Sequence, residues 1–600
     1  MDSTPIRYTV FPAHPGAHRL EIRCTVDSPD PAGQRFALPA WIPGSYLIRD
    51  FARNIVSIRA EAGGKPVALE KIDKHTWQAA APKNREAITV VIEVYAWDLS
   101  VRGAHFDETH AFFNGTSVFL HVIGQEDSPC LVEILPPEGE RHKDWRVATA
   151  MSPAYAVGSD RRGKAKRHGF GLYRAENYDE LIDHPVEMGR FSHATFDACG
   201  VQHEIVITGR HDCDMSRLCR DLKRICEWQI RFFGEPAPMS RYVFLVTAVG
   251  SGYGGLEHRA STALLCSRND LPYAGMAGLP EAYRTFLGLC SHEYFHTWNV
   301  KRIKPAAFTP YDLTRENYTT LLWAFEGFTS YYDDLALLKS GAIELKDWLE
   351  LMAKTISNVL RTPGRHKQSL AESSFDAWSK FYRPDENTPN AVVSYYAKGA
   401  LFALALDLTL RSGTDGRVAL DDVMRTLWER HGKTGLGVGE DDIRRIAEEC
   451  SGLKLKRLFA DAVSGTRDLP LKKLLAPFGV ELSQETTLTA KTPSLGVKTN
   501  GDGNGANEIR LVTVFDGGAA QMAGLAAGDT LLAIDGLRVA PPTLDKVLAR
   551  HRPGDSIRVH AFRRDELMEF TVRLDPPPED NARLAICEGS YPLRTQWLGD

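Results

Sequence analysis

Apolar and polar residues alternate in patterns that divide this chain into a strand-rich N-terminal part, a mixed middle part and a second strand-rich part near the C-terminus. Short alternating or β-branched runs between Pro, Gly and Asp turns fill residues 1–170, which predicts an antiparallel N-terminal β-sandwich. Residues 171–480 follow a strand, helix, strand pattern and then a series of helices, which predicts an α/β domain with a helical half. We therefore expect a multidomain α+β protein.

Three long helices are predicted in the middle part, because apolar residues recur there at helical spacing. The first covers residues 280–303, the second residues 314–340 and the third residues 392–411. Upstream of them, a helix over residues 215–233 is predicted between strands at 203–208 and 242–249.

The first long helix carries the sequence His-Glu-x-x-His at residues 292–296. Two histidines four positions apart on a helix lie about 40° apart around its axis, so His292 and His296 can both reach one metal ion. Glu293 can reach a water on that metal without ligating it. The motif could occur by chance, but two unligated histidines on a largely buried helix would be costly to desolvate. It therefore predicts the metal centre of a zinc peptidase.

Glu326, on the second long helix, is flanked by aromatic residues and suits a buried face only if it is paired or ligates a metal. A catalytic zinc takes three protein ligands and keeps a further position open. His292, His296 and Glu326 would supply that set, so we expect Zn²⁺ as the cofactor. Asp333 could orient a ligand histidine through its second ring nitrogen, or it could be a solvated surface residue.

Two further stretches could contribute to such a site. Gly254 and Gly255 belong to a glycine cluster that allows a close approach of the backbone to a ligand, although it could equally be a wide turn. The acid Glu257 follows directly. Tyr396, near the start of the third long helix, could be a core aromatic residue or could donate a hydrogen bond to the oxyanion of a tetrahedral intermediate.

Composition narrows the function classes further. Six hundred residues with 43% apolar and 25% charged residues indicate a soluble protein of several domains. A net charge of -5 gives no reason to expect nucleic acid or an anionic membrane as a partner. The ten cysteines contain no Cys-x-x-Cys pair, and the N-terminus has no apolar signal segment, so we expect a reduced, cytoplasmic protein.

Two loops leave alternatives open. The Pro-punctuated segment 38–46 could pack onto the next domain or form a surface turn. The basic segment 161–168 could bind phosphate, although a solvated connector is the more common role of such a loop.

Four motifs follow one another along the chain, at residues 254–258, 292–302, 323–329 and 395–399. Together they resemble the M61 family of glycyl aminopeptidases, which are gluzincins with a C-terminal PDZ domain. The resemblance implies a thermolysin-like catalytic domain over residues 171–480, a zinc ion, and removal of N-terminal residues, with a preference for Gly or Ala. The chain is also similar to the M1 aminopeptidases, whose amine-binding Glu matches Glu257 and whose Tyr-x-Lys-Gly tyrosine matches Tyr396. It departs from them in its Leu-Glu-His segment and in its longer spacing between His296 and Glu326.

Residues 481–576 resemble a PDZ domain, with strands at 509–515, 530–534, 556–562 and 568–574 and a helix at 544–550. The candidate loop for a peptide carboxylate, at 493–497, keeps only Leu-Gly, so this module could bind a peptide or serve as a lid or spacer. The insert 500–507 is predicted to be a loop without chemistry of its own. Residues 577–600 are predicted to be a C-terminal tail.

The sequence as a whole predicts a zinc aminopeptidase that acts on peptides with a free N-terminus. Glu293 is the expected general base, Tyr396 the expected oxyanion donor, and Glu257 with Gly254 and Gly255 the expected substrate-binding group. The alternatives are a zinc endopeptidase, in which the Glu257 region binds extended backbone, and a non-catalytic PDZ adaptor that binds peptides.

Overall fold

The first strands of the chain bury every second side chain, as their alternating sequence predicts. The strand Ile6–His14 turns Tyr8 and Val10 inward, and its neighbour Arg19–Val26 turns Leu20 and Ile22 inward. This is a computed structural model, and the residues that it describes are 4–82, 86–154, 165–486, 492–500 and 508–599.

The N-terminal part is rich in β-structure and forms three sheets. Its strands, numbered β1 to β16, are Ile6–His14, Arg19–Val26, Arg35–Ala37, Ile55–Ala62, Lys65–Val67, Leu69–Lys71, Thr76–Ala79, Ile88–Tyr95, Ala104–Phe106, His110–Phe113, His121–Val122, Cys130–Ile134, Arg146–Ala148, Ser152–Pro153, Gly171–Ala175 and Val186–Gly189, and helix α1 is Tyr178–Ile182. The strand orders are β14-β15-β12-β1-β2-β8-β4-β5, β13-β16-β10-β9 and β11-β3-β7-β6.

Two features of this part differ from the prediction. β1 and β12 pair in parallel, so the part is not purely antiparallel, because the long crossover between these strands lets either direction form and the alternation of side chains does not encode direction. β15 pairs with β12, and β16 pairs with β10, so the β-rich part extends to Gly189, past the predicted boundary at residue 170.

A fourth sheet follows, and its strands and the helices beside it lie close to the predicted positions. Its strands β17 to β21 are Phe191–Ala198, Val201–Thr208, Arg241–Val249, Tyr253–Glu257 and Ser261–Ser267, with helices α2 at Met215–Phe233 and α3 at Glu281–Phe295. The order is β17-β18-β19-β21-β20, with β18, β19 and β21 parallel. The strand β20 therefore lies at the edge of the sheet and carries the glycine cluster and Glu257.

The helices that follow are shorter than predicted. Helices α4 to α13 are Leu322–Phe325, Gly327–Lys339, Leu345–Leu360, Leu370–Phe375, Thr388–Ala391, Ala397–Gly413, Leu420–Leu427, Asp442–Ser451, Lys456–Ala462 and Leu471–Leu475. The predicted helix 314–340 begins only at Leu322, because the Asp312 carboxylate accepts from the Thr314 N–H and the Asn317 amide donates to the Arg315 carbonyl, which holds a turn.

The C-terminal module has the predicted strands and helix within one or two residues. Its elements are β23 Val497–Thr499, β24 Ile509–Val514, α14 Ala519–Met522, β25 Thr530–Ile534, β26 Leu537–Arg538, α15 Leu544–Leu548, β27 Ser556–Arg563 and β28 Glu566–Arg573. Strand β22, Val480–Glu485, precedes the module, and β29, Asn581–Ile586, and α16, Pro592–Leu598, follow it. The module packs around an apolar core of its own. The amide of Asn390 donates to the Val514 carbonyl at 2.9 Å and accepts from the Asp516 N–H at 3.0 Å, which ties the module to the helical region.

Residues 577–600, predicted to be a tail, contain a strand and a helix. β29 pairs with β22, and Trp597 on α16 is fully buried, with its indole N–H donating to the Tyr331 hydroxyl at 2.9 Å. The proline run at 576–578 suggested an end of structure, but the apolar residues beyond it bury themselves. Most of the insert 500–507, and residues 161–164 of the basic segment, lie outside the described residues.

The chain forms two compact units. The first comprises Met1–Asn317, Leu335–Ile343 and Leu427–Val438, and the second comprises Tyr318–Asp334, Glu344–Thr426 and Gly439–Asp600. Among the helices that the structure describes, none has the length and apolar character needed to cross a membrane.

Candidate active site

The His-Glu-x-x-His residues lie at the C-terminal end of helix α3 in the first unit. Helix α3 ends at Phe295, so His296 caps the helix instead of lying inside a helix that continues to residue 303. The apolar pattern continues because Trp298 and Val300 remain buried in the turns beyond the helix. Burial alone therefore does not distinguish a helix from the turns that follow it.

The two imidazoles face each other as the ligands of one metal would. The Nε2 atoms of His292 and His296 are 3.0 Å apart, close to the roughly 3.3 Å that tetrahedral zinc with bonds of about 2.05 Å would impose. The Nδ1 atom of His296 lies 2.6 Å from the carbonyl of Asn299, which can only accept, so Nδ1 carries the proton and Nε2 presents its lone pair. The pair fits a zinc ion.

Gly255, in the glycine cluster, leaves open the space that the Glu293 carboxylate occupies. A Cβ atom at Gly255 would lie 2.0 Å from Oε1 of Glu293, so a side chain at this position of β20 would displace the carboxylate. At Gly254 the nearest atoms to such a Cβ are 3.9 Å away or more, and a side chain would fit. The close backbone approach that the sequence predicted therefore occurs at Gly255, and the group that the backbone approaches is Glu293, the predicted general base.

Glu257 lies next to the same group. One oxygen of Glu257, one oxygen of Glu293 and one ring nitrogen of His296 all lie within 4.8 Å of one another, and all three residues are buried. A Cβ atom at Gly44 would lie 2.5 Å from Oε1 of Glu257, and Gly44 has a φ of +94°, so the backbone of an N-terminal loop closes over this carboxylate.

The loop that carries Gly44 packs firmly within the first unit. The Trp41 indole N–H donates to the Asp312 carbonyl at 2.8 Å, and Tyr46 stacks on Phe308 with ring centres 5.8 Å apart. Segment 38–46 is therefore a packing element, which decides between the two roles that its sequence allowed.

A buried ionic cluster holds the segments on both sides of this group. Asp183 accepts from the Lys301 ammonium at 2.7 Å and from the backbone N–H of Arg259 at 3.0 Å, and its Oδ1 lies 3.1 Å from Nδ1 of His258. Burial would raise the pKa of Asp183, but the charges of Lys301 and Arg259 hold it well below its usual range. The residue after Glu257 and the turns after His296 are thus fixed to one carboxylate.

Glu326 belongs to the second unit and lies where helix α4 ends and α5 begins. It is 2% exposed. A Cβ atom at Gly327 would lie 2.5 Å from Cα of Gly399 and 2.9 Å from the carbonyl of Tyr395, so two backbones touch at these glycines. The Glu-Gly and Tyr-Tyr-x-Lys-Gly segments are therefore neighbours in this unit.

Tyr396 lies in a cluster of phenols in the second unit. It precedes helix α9, so the predicted helix 392–411 begins only at Ala397, because Val393 is held extended by a bond from its N–H to the Gln368 side chain. The hydroxyls of Tyr396 and Tyr382 are 3.4 Å apart, and Tyr395 and Tyr396 stack with ring centres 4.7 Å apart. Burial raises the pKa of Tyr395, and the charge of Glu326 raises it further.

The predicted residues thus fall into two groups. His292, Glu293, His296, Glu257 and Gly255 come together in the first unit, whereas Glu326 and Tyr396 lie near each other in the second. Sequence reasoning missed Gly44, Asp183 and Tyr382. Asp183 and Tyr382 carry no local signal, and a lone glycine such as Gly44 is too common in loops to be recognised.

Two family models and one solved structure relate this chain to peptidases. The family model for the peptidase M61 N-terminal domain matches residues 7–190, and that for M61 glycyl aminopeptidase matches residues 285–402. A crystal structure of an aminopeptidase N family protein from Idiomarina loihiensis is 41% identical, with a TM-score of 0.93 over 99% of this chain and 100% of that chain. An M1 zinc metallopeptidase from Deinococcus radiodurans is 15% identical, with a TM-score of 0.48 over 78% of this chain and 95% of that chain. No match to this chain was found among curated proteins.

Proposed function

This chain belongs to the M61 family of peptidases, and we propose that it is a zinc-dependent aminopeptidase that removes the N-terminal residue from peptides. His292 and His296 would hold the metal with their Nε2 atoms, and Glu326 would be the third ligand. Zinc at this position would polarise the scissile carbonyl and favour ionisation of the attacking water. The 3.0 Å separation of the two ring nitrogens, with the second nitrogen of His296 on a carbonyl, supports this assignment.

Glu293 is the proposed general base. Its carboxylate is buried beside His296 and occupies the space that Gly255 leaves open. It would take a proton from the attacking water and return it to the leaving amine. Tyr396 would donate its hydroxyl hydrogen to the developing oxyanion, with Tyr382 orienting that hydroxyl.

The single observation that favours an aminopeptidase is the position of Glu257. Its buried carboxylate lies within 4.8 Å of ligand atoms of Glu293 and His296, and the backbone of Gly44 closes over it. A buried carboxylate beside the proposed metal site and general base can pair with the α-ammonium of a substrate, and such a pair needs both of its charges once they leave water. The close approach of the Gly44 backbone to this carboxylate supports a preference for peptides with a free N-terminus.

The architecture, the residue preference and the role of the C-terminal module are proposed as well. We assign a thermolysin-like architecture to the region around α2, α3 and the sheet β17 to β21, and a preference for Gly or Ala at the first residue. The C-terminal module is a PDZ-like domain that serves as a docked spacer. The Gly496 N–H already donates to the Ser494 hydroxyl at 3.0 Å, so this amide of the carboxylate loop is engaged within the module.

The test compares free and N-acetylated peptides of the same sequence, beginning with Gly, Ala or Leu. We expect the wild-type protein to trim the free peptides and to leave the acetylated ones essentially uncut. Glu257→Ala should lower kcat/KM for free peptides about a hundredfold or more, since it removes the partner of the α-ammonium. Glu138→Ala, at an exposed position of the same unit, is the matched control.

Internal cleavage of acetylated peptides at the rate of free ones would replace this proposal by the endopeptidase alternative. That alternative draws on β20, an edge strand whose outer side can pair with extended backbone. A protein that cuts neither substrate when loaded with zinc would favour the non-catalytic adaptor.

A further inference from the structure

A cavity of about 640 Å³, half open to solvent, lies within the second unit, and none of the residues proposed to bind metal, transfer a proton or bind substrate lines it. Helices α6, α9 and α13 and strand β22 line it. Its walls are mainly aliphatic, and their principal side chains are Ile356, Val359, Leu401, Leu469, Leu471 and Leu482. Cavities of roughly 300–1,000 Å³ with apolar walls and a few polar groups are typical of small-molecule sites.

A buried lysine also lines this cavity. Lys398 on α9 is fully buried, and its ammonium donates to the Arg365 carbonyl at 3.2 Å. Within the part of the chain that the structure describes, the ammonium has no other hydrogen bond and forms no ion pair, although it has three hydrogens to donate. A buried ammonium with one neutral acceptor is under-satisfied, so the chemistry of the cavity favours an anion.

The nearest acidic group does not supply that anion. Asp468 also lines the cavity, but its Oδ1 lies 3.2 Å from Nε of Arg365, which binds it instead. Burial lowers the pKa of Lys398, and the charge of Asp468 opposes this by raising it. Lys472 and Lys473 add two cations to the lining, against the one further carboxylate of Glu579. The lining therefore has three cations and two carboxylates, and its net charge is positive.

We propose that this cavity binds a small apolar carboxylate, with the carboxylate on Lys398 and the hydrocarbon part against the aliphatic walls. A single buried ammonium matches a monoanion, whereas the second charge of a phosphate dianion would have only the exposed Lys472 and Lys473 as partners. The ligand's apolar part would bury surface against leucine, isoleucine and valine side chains. This inference is independent of the proposed peptidase activity, because it concerns a different group of residues.

Two kinds of small molecule carry this chemistry, a fatty acid and a short apolar peptide with a free C-terminus. The experiment titrates octanoate and N-acetyl-Leu-Leu into the full-length protein by isothermal titration calorimetry. The acetyl group protects the dipeptide from the proposed aminopeptidase activity. Octan-1-ol, with the same chain and no charge, is the control ligand.

We expect at least one carboxylate to bind tenfold or more tightly than octan-1-ol. Lys398→Met keeps the length of the side chain and removes the charge, so it should weaken carboxylate binding at least tenfold and leave octan-1-ol unaffected. Lys456→Met, on an exposed face of α12, should change nothing. Leu469→Trp fills the cavity at a half-buried position and should abolish binding even if Lys398→Met does not fold.

The proposal would be overturned if neither carboxylate bound the wild-type protein more tightly than octan-1-ol does. It would also be overturned if the affinity for the more tightly bound carboxylate were unchanged in either Lys398→Met or Leu469→Trp. A preference for the dipeptide over octanoate would identify peptide products as the source of the ligand, and the reverse would identify fatty acids.

Discussion

Two clusters in the first unit contain the same kinds of side chain, but they distribute their protons differently. One is the His292 and His296 pair with Glu293 and Glu257, and the other is His105, Asp107 and His110 on the hairpin of β9 and β10. In the first, the two ring nitrogens face each other at 3.0 Å, and the second nitrogen of His296 is held by a backbone carbonyl.

In the second cluster the rings face carboxylates instead. Nε2 of His105 lies 3.2 Å from Asp107, and Nδ1 of His110 lies 3.0 Å from Glu187. Asp107 also accepts from the backbone N–H groups of Thr109 and His110. Burial would raise the pKa of Asp107, but these hydrogen bonds lower it to about 2. Its carboxylate is therefore used to hold the hairpin turn.

The comparison shows that donor types and proximity do not define a metal site. A ring nitrogen that ligates a metal must give up its proton, and Nδ1 of His110, which faces Glu187, keeps its proton more strongly. Burial lowers the pKa of His105, and burial would also lower the pKa of His110, but Glu187 raises the pKa of His110 above its ordinary value. We therefore interpret the His292 and His296 pair as a candidate metal site and the His110 and Glu187 pair as a structural, proton-binding one.

The largest effect that we predict from this comparison is the loss of bound metal when a histidine of the first cluster is removed. His292→Ala should reduce bound zinc from about one per chain to nearly none and abolish peptidase activity, because two ligands hold catalytic zinc poorly. His110→Ala should keep both. Elemental analysis of the two purified variants measures their bound zinc, and an assay on a peptide with a free N-terminus measures their activity. Zinc lost from His110→Ala, or retained in His292→Ala, would reverse the assignment.

A smaller predicted effect, on turnover, distinguishes Glu293 of the first cluster from Asp107 of the second. Glu293→Gln should retain its zinc and lose turnover by about a thousandfold, because it removes the base without removing a ligand. Asp107→Asn is the matched change in the other cluster and should leave turnover within about twofold of wild type. Loss of zinc from Glu293→Gln would mean that this residue ligates the metal.

The smallest effect is a pH dependence of stability. Because the pKa of His110 is raised in the folded protein, its pairing with Glu187 stabilises fully below the unfolded pKa of about 6.5 and is lost as the pH rises through the folded pKa. Glu187→Gln should therefore lower the melting temperature by a few degrees at pH 5.5 and by much less at pH 9. An equal decrease in the melting temperature at pH 5.5 and pH 9 would show that the pair does not act through the proton on His110.

The local patterns of the sequence predicted a large part of this architecture. The helix Met215–Phe233 begins and ends where the pattern places it, because Asp214 caps its start and Gly234 follows its end. The strands of the C-terminal module also fall close to their predicted positions. Glu293 and Gly255 were assigned to one site, and the structure brings them into direct proximity. Such features depend on residues close together in sequence or on motifs of known chemistry.

The rest depends on contacts between distant segments. The helix ends at Phe295 and Phe325 were missed because burial continues beyond them, and hydrophobic pattern records burial more directly than backbone conformation. Asp183 is an ordinary loop residue until the fold places Lys301 and His258 against it. No local signal distinguishes it from the many other aspartates of the chain.

The contact between Gly44 and Glu257 joins residues that the ribosome adds at very different times. The ribosome makes this glycine early, and Glu257, over which it closes, much later. During synthesis the loop at 38–46 must wait for Phe308 and Asp312 before it can pack, and both emerge after His292 and His296. A nascent chain would therefore have its helix α3 before the Gly44 loop can pack near Glu257, and the proposed restriction to free N-termini would be among the last properties that the growing protein acquires.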